Sequence, residues 1–506
     1  MKNRTAFIAV LLGIAVGALA VLTFDSYKSR KAMYKTEYRD WRKLNLVLQQ
    51  LDLNYVDSID HKSVTDAAIV AVLAQLDPHS AYLPPVELEE SEESLSGGFS
   101  GIGIQFNVPN DTAVVIEVVP GGPAEKIGMM PGDRILRVDD RQIAGVKFPQ
   151  DSMVRRMKGP AGTKVKVQVK RSEELIDFDI TRGKIPTWSV DAYFMADENT
   201  GYLRLSKFSR TTYKECLDAI TELQKEGMKQ LVFDLRDNSG GYFDQALLLS
   251  NLFLEKDSLI VYIEGLHRPR EDYRADGRGP FKDLPLKVLI NEGSASSSEI
   301  FAGAMQDNGR AQIVGRRSFG KGLVQEPLNF TDGSGLRITV ARFHTPSGRC
   351  IQKPYTPDYN YEVLKRYTNA EMVDVDSMKL SKGGILPDVF VPLDTTKASA
   401  FFVKCNRKAC AMRFASDFFD KHSTELGAIA DYGQLLDYLD KAALDKAFLA
   451  YVKKHDGLVP APGEWEESED YMLTQIKALV GRYSKLSDKA FYHIYLDIDD
   501  TFKAAR

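Results

Sequence analysis

Between Asn291 and Gln325 the chain gathers side chains that could form a nucleophilic site. Four serines, Ser294, Ser296, Ser297 and Ser298, lie in a run of small residues, and one lysine, Lys321, stands between two glycines. A serine hydroxyl becomes a nucleophile when a base takes its proton, and a lysine can be that base only when neutral. Burial lowers a lysine pKa by up to several units, and Phe319, Leu323 and Val324 offer apolar surroundings for Lys321. Gln325, four residues on, can orient the amine by accepting a hydrogen bond without adding a charge that would raise its pKa. A serine at a helix N-terminus lies beside unpaired backbone N–H groups. The Gly240-Gly241 turn and the N–H of Ser297, after the candidate nucleophile Ser296, are therefore candidate oxyanion donors. The opposing reading is a flexible Gly-Ser turn and a solvated surface lysine. Composition alone favours that opposing reading.

The flanking pattern supplies elements to hold such a site. Leu286 to Ile290 is an apolar strand-like run, and the small residues after it open into a helix with Ile300, Phe301, Ala304 and Met305 on one side. Gln230 to Leu235 is a second strand. It ends in Arg236-Asp237-Asn238-Ser239-Gly240-Gly241, and Asp244 to Phe253 reads as the helix that follows. Strands ending in polar, glycine-rich turns before helices suit a buried sheet with its site at the strand ends. Gly201 to Leu205 and Arg337 to Phe343 add strands, and Tyr213 to Glu226 a helix. Upstream, Tyr34 to about Leu76 has helical periodicity and stops at Asp77-Pro78, since proline cannot continue a helix. The acidic stretch Glu87 to Glu93 leads to Ser96-Gly97-Gly98, read as a hinge. From about Thr396 the pattern is helical again and carries no chemical motif.

At 506 residues, 44% hydrophobic and 27% charged, the chain is expected to hold several globular domains. A net charge of -4, with no basic run interleaved with aromatics, argues against nucleic acid. The start differs: Met1 to Arg4 is basic, and Ala6 to Phe24 is uncharged and near the length that spans a bilayer. Ala18-Leu19-Ala20 fits a cleavage site, but the apolar run continues through Val21, Leu22 and Phe24. That favours an uncleaved anchor over a removed signal peptide, and either one exports the remainder. The four cysteines are not a disulfide framework; Cys405 and Cys410 are close enough in sequence to pair in an oxidising compartment. No Gly-x-Ser-x-Gly elbow or His-Glu-x-x-His motif occurs. The seven histidines, His79, His267 and His344 among them, are scattered and not tied to the serines.

Residues Gly98 to about Arg182 resemble a PDZ domain. They run through Ser100-Gly101-Ile102-Gly103-Ile104, a strand at Ala113 to Val119, the turns Pro120-Gly121-Gly122-Pro123 and Pro131-Gly132-Asp133, and the alternating Val165, Val167 and Val169. The resemblance implies a carboxylate-binding loop at Gly101, Ile102, Gly103 and Ile104, with a helix bearing Val154 and Met157 as the other wall of a peptide groove. Main-chain donors would hold a terminal carboxylate while the peptide adds a strand to the sheet.

Together, Leu76 to Leu83, this unit, Asp234 to Gly241, Gly293 to Gln306 and Ser318 to Gln325 resemble the carboxyl-terminal processing peptidases (tail-specific proteases, family S41), over roughly Trp41 to Pro392. In that family the catalytic serine lies three residues before the Glu-Ile that opens the helix, here Glu299-Ile300, which implies Ser296. The Phe-Gly-Lys-Gly lysine implies Lys321, and the following glutamine Gln325. Ser297 stands where many relatives have alanine, a change that keeps the backbone donor.

The resemblance implies a multidomain α/β protein. A ClpP/crotonase-like protease core would carry an inserted β-rich PDZ domain between helical N- and C-terminal regions. The expected divisions are 1–24 anchor, 25–95 N-terminal helical region, 96–183 PDZ domain, 184–395 peptidase core and 396–506 C-terminal helical region. The expected function is a serine endopeptidase with a Ser-Lys dyad and no metal or cofactor, held at the inner membrane with its catalytic region in the periplasm. Its expected partners are the C-terminal tails of exported proteins, with a homodimer and an adaptor protein left open. Two readings compete: a non-catalytic, membrane-tethered PDZ scaffold, and a Ser-His hydrolase with another substrate.

Overall fold

The computed structural model describes residues 41–108, 111–171, 173–355, 383–394 and 396–506. The expected anchor at Ala6 to Phe24 lies outside them. No helix among the described residues is long and apolar enough to cross a membrane.

The chain divides after Leu76 into two compact units. In the first, the helices Trp41–Asn54 and His61–Leu73 follow the apolar periodicity of the sequence. Asp60 caps the second helix by accepting from the N–H groups of Lys62 and Ser63 at 3.1 and 3.2 Å.

The second unit begins earlier than a helical region ending at residue 95 would allow. Ala81–Leu83 is a strand of this unit, with Ala81 opposite Arg337. Pro85–Leu95 is a helix behind it, with proline at the first turn where its missing N–H costs nothing. The Ser96-Gly97-Gly98 hinge reading changes too, because Gly98–Gly101 pairs with Gly183–Pro186 and is tied down on one side. Both pairings join residues far apart in sequence, which local pattern cannot reveal.

The sheet of the core runs Val190–Met195, Thr200–Leu205, Gln230–Asp234, Leu286–Ile290, Gln312–Gly315, Val389–Phe390, each strand beside the next. The first pair is antiparallel and the others parallel. Its strands are nearly continuous runs of buried apolar residues, as expected of a parallel sheet covered on both faces. Leu203, Phe233, Val288 and Ile313 share one cluster with Ile220, Leu249 and Phe301 of the helices Thr212–Lys225, Phe243–Asn251 and Ser297–Asp307. A second sheet contains Ala81–Leu83, Gly335–His344, Leu259–Gly265 and Arg268–Arg274, with Leu323–Asn329 paired to Gly335–His344.

The segment resembling a PDZ domain is a separate antiparallel sheet with its own core of Val115, Ile135, Met153, Val167 and neighbours. Ile104–Asn107 is one of its edge strands.

The C-terminal helices enclose their own cluster around Phe414, Phe448 and Ile476. The last helix, Asp500–Ala505, instead buries Phe502 and Ala505 against Val232, Leu289 and Val314 of the core sheet. His493 is stacked between Phe194 of that sheet, at 4.3 Å between centroids, and Tyr432, at 3.8 Å. Burial, assisted by the charge of Lys489, lowers its pKa from 6.5 to about 4. The unfolded chain therefore binds this proton first, and the contribution to stability is present above pH 6.5 and lost as pH falls toward 4. Thermal unfolding across that window is expected to show the loss, and His493→Phe, which cannot charge, is expected to reduce it. An unchanged pH dependence in that variant would count against the assignment.

Candidate active site

The loops after three adjacent parallel strands meet at one edge of the core sheet. The middle strand, Leu286–Ile290, leads to Ser296; its neighbour Gln230–Asp234 leads to Gly240 and Gly241; its other neighbour, Gln312–Gly315, leads to Lys321. Side chains on these loops join them. Asn291 Oδ1 accepts from the Asp237 N–H and its Nδ2 donates to Asp237 Oδ1, each at 2.8 Å. On the other side Arg316 makes a two-point ion pair with buried Glu292, at 2.9 and 3.1 Å. A buried pair like this is weak evidence for net stability, but its geometry is specific.

The serine cluster divides into three structural hydroxyls and one other. Ser294 Oγ donates to the Leu235 carbonyl at 2.7 Å, Ser298 Oγ to that of Asn238 at 2.9 Å, and Ser297 Oγ to that of Gly241 at 3.0 Å. All three residues are buried, whereas Ser296 is partly exposed. Among the described residues Ser296 Oγ donates to no acceptor, while a capping box sets it toward the Glu299 N–H. Its backbone lies at φ 57°, ψ −115°, a region that non-glycine residues rarely adopt. Such strain persists only where the surroundings impose it, and it concentrates at functional sites.

Gly240 lies against this turn. A Cβ there would come within 2.8 Å of Ser296 Cβ and 2.9 Å of the Ser297 nitrogen, so only glycine fits. The two glycines differ as donors. The Gly240 N–H donates to Asn238 Oδ1 at 2.9 Å, while no acceptor is recorded for the Gly241 or Ser297 N–H among the described residues. The expectation that Gly240 donates to an oxyanion is corrected by that bond.

Lys321 is partly buried, and its pKa is lowered by burial first and by Arg337 second, with Glu299 and Asp77 opposing. No hydrogen bond joins Lys321 Nζ to Ser296 Oγ among the described residues. Gln325 Nε2 donates to the His79 carbonyl at 2.6 Å, and no bond from Gln325 to Lys321 is recorded.

His79 corrects the reading that the histidines are untied to the site. Its ring meets Phe319 edge-on at 6.3 Å. Burial, and then the charge of Lys321, lower its pKa to about 4, so it is neutral at pH 7. The turn holding it is closed by Asp77, which accepts from the His79 and Ser80 N–H groups at 2.8 and 2.7 Å. The pairing of Ala81–Leu83 with Gly335–His344 carries that turn to the lysine.

Sequence reasoning also missed the anchor beneath the glycine turn. Asp234, fully buried at the end of its strand, accepts from Tyr202 Oη at 2.6 Å, Arg236 Nη2 at 2.6 Å and Arg204 Nη1 at 3.2 Å. Burial would raise its pKa, but Arg236 and Arg204 outweigh that and hold it well below the usual carboxylate range. Arg236 Nη1 also donates to Asp499 Oδ1 at 2.9 Å, so the C-terminal region, which carries no motif of its own, reaches the active-site turn.

In the PDZ-like unit, Gly101, Ile102, Gly103 and Met157 are buried, and Ile104 and Val154 partly so. Met157 and Ile102 both pack in that unit's core. All four cysteines are free thiols: Cys216, Cys405 and Cys410 are buried and Cys350 is exposed.

Residues 199–361 match the profile of peptidase family S41, and residues 100–181 that of the PDZ domain. The carboxy-terminal processing protease CtpA of Bacillus subtilis (strain 168) is 32% identical over 411 residues, spanning 80% of this chain and 87% of that protein. A probable CtpA-like serine protease of Staphylococcus aureus (strain N315) is 34% identical over 370 residues, 72% of this chain and 74% of that one. Among solved structures, the photosystem II D1 C-terminal processing protease is 30% identical. It matches 71% of this chain and 88% of that one with a TM-score of 0.40, a likeness too low to add to the sequence match. The chain is a serine peptidase of family S41 with a PDZ domain, and it belongs to the CtpA-like carboxy-terminal processing proteases.

Proposed function

We propose that Ser296 is the nucleophile and Lys321 its base in cleaving exported proteins near their C-termini. One observation carries the reading: of four clustered serines, only Ser296 combines a strained strand-to-helix turn, partial exposure and, among the described residues, a hydroxyl proton with no acceptor. The loop of the adjacent strand supplies a lysine whose pKa is lowered by burial. Catalytic hydrogen bonds in unliganded sites are often long and tighten in the complex, and the Nζ–Oγ bond is expected to form on substrate binding.

In the proposed reaction, neutral Lys321 Nζ takes the Ser296 proton as Oγ bonds to the scissile carbonyl carbon. The resulting oxyanion accepts from the N–H groups of Gly241 and Ser297. Collapse breaks the C–N bond, Lys321 returns its proton to the leaving amine, and an acyl-enzyme remains. Water then attacks, with Lys321 taking its proton and giving it back to Ser296 Oγ as the acid leaves. Gln325, fixed through its Nε2 to the His79 carbonyl, has its amide oxygen available to orient the amine.

Tail recognition is assigned to the PDZ domain. A substrate C-terminus would add to the edge strand Ile104–Asn107, with its carboxylate at Gly101 to Ile104 and Val154 on the facing helix. The N-terminal apolar stretch would keep the enzyme at the inner membrane, facing periplasmic substrates. The tail reading is tested with one peptide series ending in a free or an amidated C-terminus. Amidation, which removes the terminal charge, is expected to lower kcat/KM by roughly 10-fold or more, the worth of a charge-assisted hydrogen bond. Equal cleavage of both would sink it.

A further inference from the structure

Glu299 lies in the first turn of the helix Ser297–Asp307 and is fully buried. A glutamate at this position commonly accepts from the backbone N–H that precedes the helix. Glu299 Oε2 does so, accepting from the Ser296 N–H at 2.9 Å. Capping accounts for that bond alone. The same oxygen accepts from the Lys321 N–H at 2.9 Å, and Oε1 accepts from the Gly320 N–H at 2.7 Å and from Ser318 Oγ at 2.5 Å. Three of the four donors thus belong to the loop that carries the lysine. Four donors occupy the lone-pair sites of one carboxylate and favour its ionised form, against the burial that raises its pKa. The Phe319 N–H, donating to the Ser294 carbonyl at 2.9 Å, also joins the two loops.

We propose that Glu299 is a positioning residue. Its carboxylate grips the backbone of Ser296 with one oxygen and shares that oxygen with the backbone of Lys321, fixing the distance between nucleophile and base. This rests on the Ser296–Lys321 reading above. A helix turn and a loop meeting only at their surfaces would leave that distance free to vary, and misplacement of about 1 Å can cost roughly 100-fold in rate. The carboxylate has a second effect on Lys321, since its negative charge favours the protonated amine. The other charges facing the amine are Arg337, which disfavours protonation, and Asp77, which favours it, with neutral His79 alongside.

The test uses the full chain and a peptide with a free C-terminus. Glu299→Gln keeps the shape but turns an NH₂ toward two of the four donors. Its kcat is expected to fall roughly 100-fold with KM within about 3-fold. Because Lys321 must be neutral to act, activity rises with pH through its pKa. Removing the Glu299 charge is therefore expected to move that acid limb to lower pH. Ser318→Ala removes one donor to Glu299, along with the acceptor of the Ile385 N–H, and keeps the charge; it is expected to lower kcat by roughly 5- to 10-fold, at least one net hydrogen bond, with the limb in place. A Glu299→Gln enzyme with kcat within about 3-fold of wild type, or with a lowered kcat and an unmoved limb, would overturn the proposal. Should Glu299→Gln fail to fold, Ser318→Ala decides, and a kcat within about 2-fold of wild type overturns it. Lys321→Ala run in parallel separates the two ideas. If it cleaves like wild type the dyad is wrong, whereas a dead Lys321→Ala beside a fully active Glu299→Gln removes only the positioning role.

Discussion

Replacing Lys321 by alanine is expected to lower kcat/KM for a C-terminal peptide by roughly 10⁴-fold or more, the range seen when a member of a nucleophile–base set is removed. Ser296→Ala is expected to match it, and the double variant to be little worse than either single one, because residues that act as a unit are not additive. Ser294→Ala and Ser298→Ala differ in kind. Their hydroxyls donate to buried carbonyls, and that of Ser294 also accepts from the Asn291 N–H, so their loss is expected to cost stability of about 1 kcal/mol per bond while much of kcat remains. Steady-state kinetics with thermal unfolding on the same samples separates the two outcomes. A Lys321→Ala enzyme that cleaves as well as wild type would refute the dyad. The wild-type profile is informative as well. Burial and Arg337 lower the Lys321 pKa, so activity is expected to rise with pH and level off below the range where an exposed lysine titrates. A limb at the ordinary value of 10.5 would mean that the amine is not desolvated when it acts.

The second large effect is expected at Arg236. Its guanidinium faces Asp234, which is fully buried, and it also bonds Asp499. Without Arg236, buried Asp234 keeps only Arg204 and Tyr202 and Asp499 loses its guanidinium partner, at a cost approaching the roughly 3–5 kcal/mol of a broken buried pair. Arg236→Ala is therefore expected to show a large drop in unfolding temperature and, since the turn to Gly241 begins at this residue, a fall in kcat even below that temperature. Arg236→Lys is expected to recover only part of the loss, because an ammonium cannot make the same planar, multi-point contact. Asp499→Asn is the milder probe. It keeps the volume and leaves the Arg236–Asp234 pair in place, so any fall in kcat reports the link from the C-terminal region to the active-site turn. An Arg236→Ala protein that unfolds within a degree of wild type would mean that the network does not anchor the turn.

Different parts of this molecule were legible at different levels. The strands Leu286–Ile290 and Gln230–Asp234 and the helices after them are local patterns, because apolar runs bounded by glycine-rich turns report backbone preference directly. The alternation of Val165, Val167 and Val169 likewise marked the PDZ sheet, whose inward face they form. A run of small residues before a helix and a lysine between glycines marked the chemistry, and the resemblance to the carboxyl-terminal processing peptidases singled out Ser296 and Lys321.

The tertiary structure alone decided which groups are free and which are engaged. Gly240 and Gly241 are equivalent in sequence, but the Asn238 side chain takes the N–H of one of them. Met157 sits at helical spacing from Val154, yet the sheet covers it. Nothing in the local pattern around His79, Asp499 or Glu299 assigns them a part in the site. Each gains its role from a partner far along the chain: Lys321, Arg236 and the Ser318–Lys321 loop. Local pattern encodes the conformation of a segment and the face it buries. Hydrogen bonds and charges between distant segments depend on strand order and register, and the packing of the whole chain fixes those. The sequence marked which residues could carry the chemistry, and the fold decided how Ser296, Lys321 and the backbone N–H groups beside them are held.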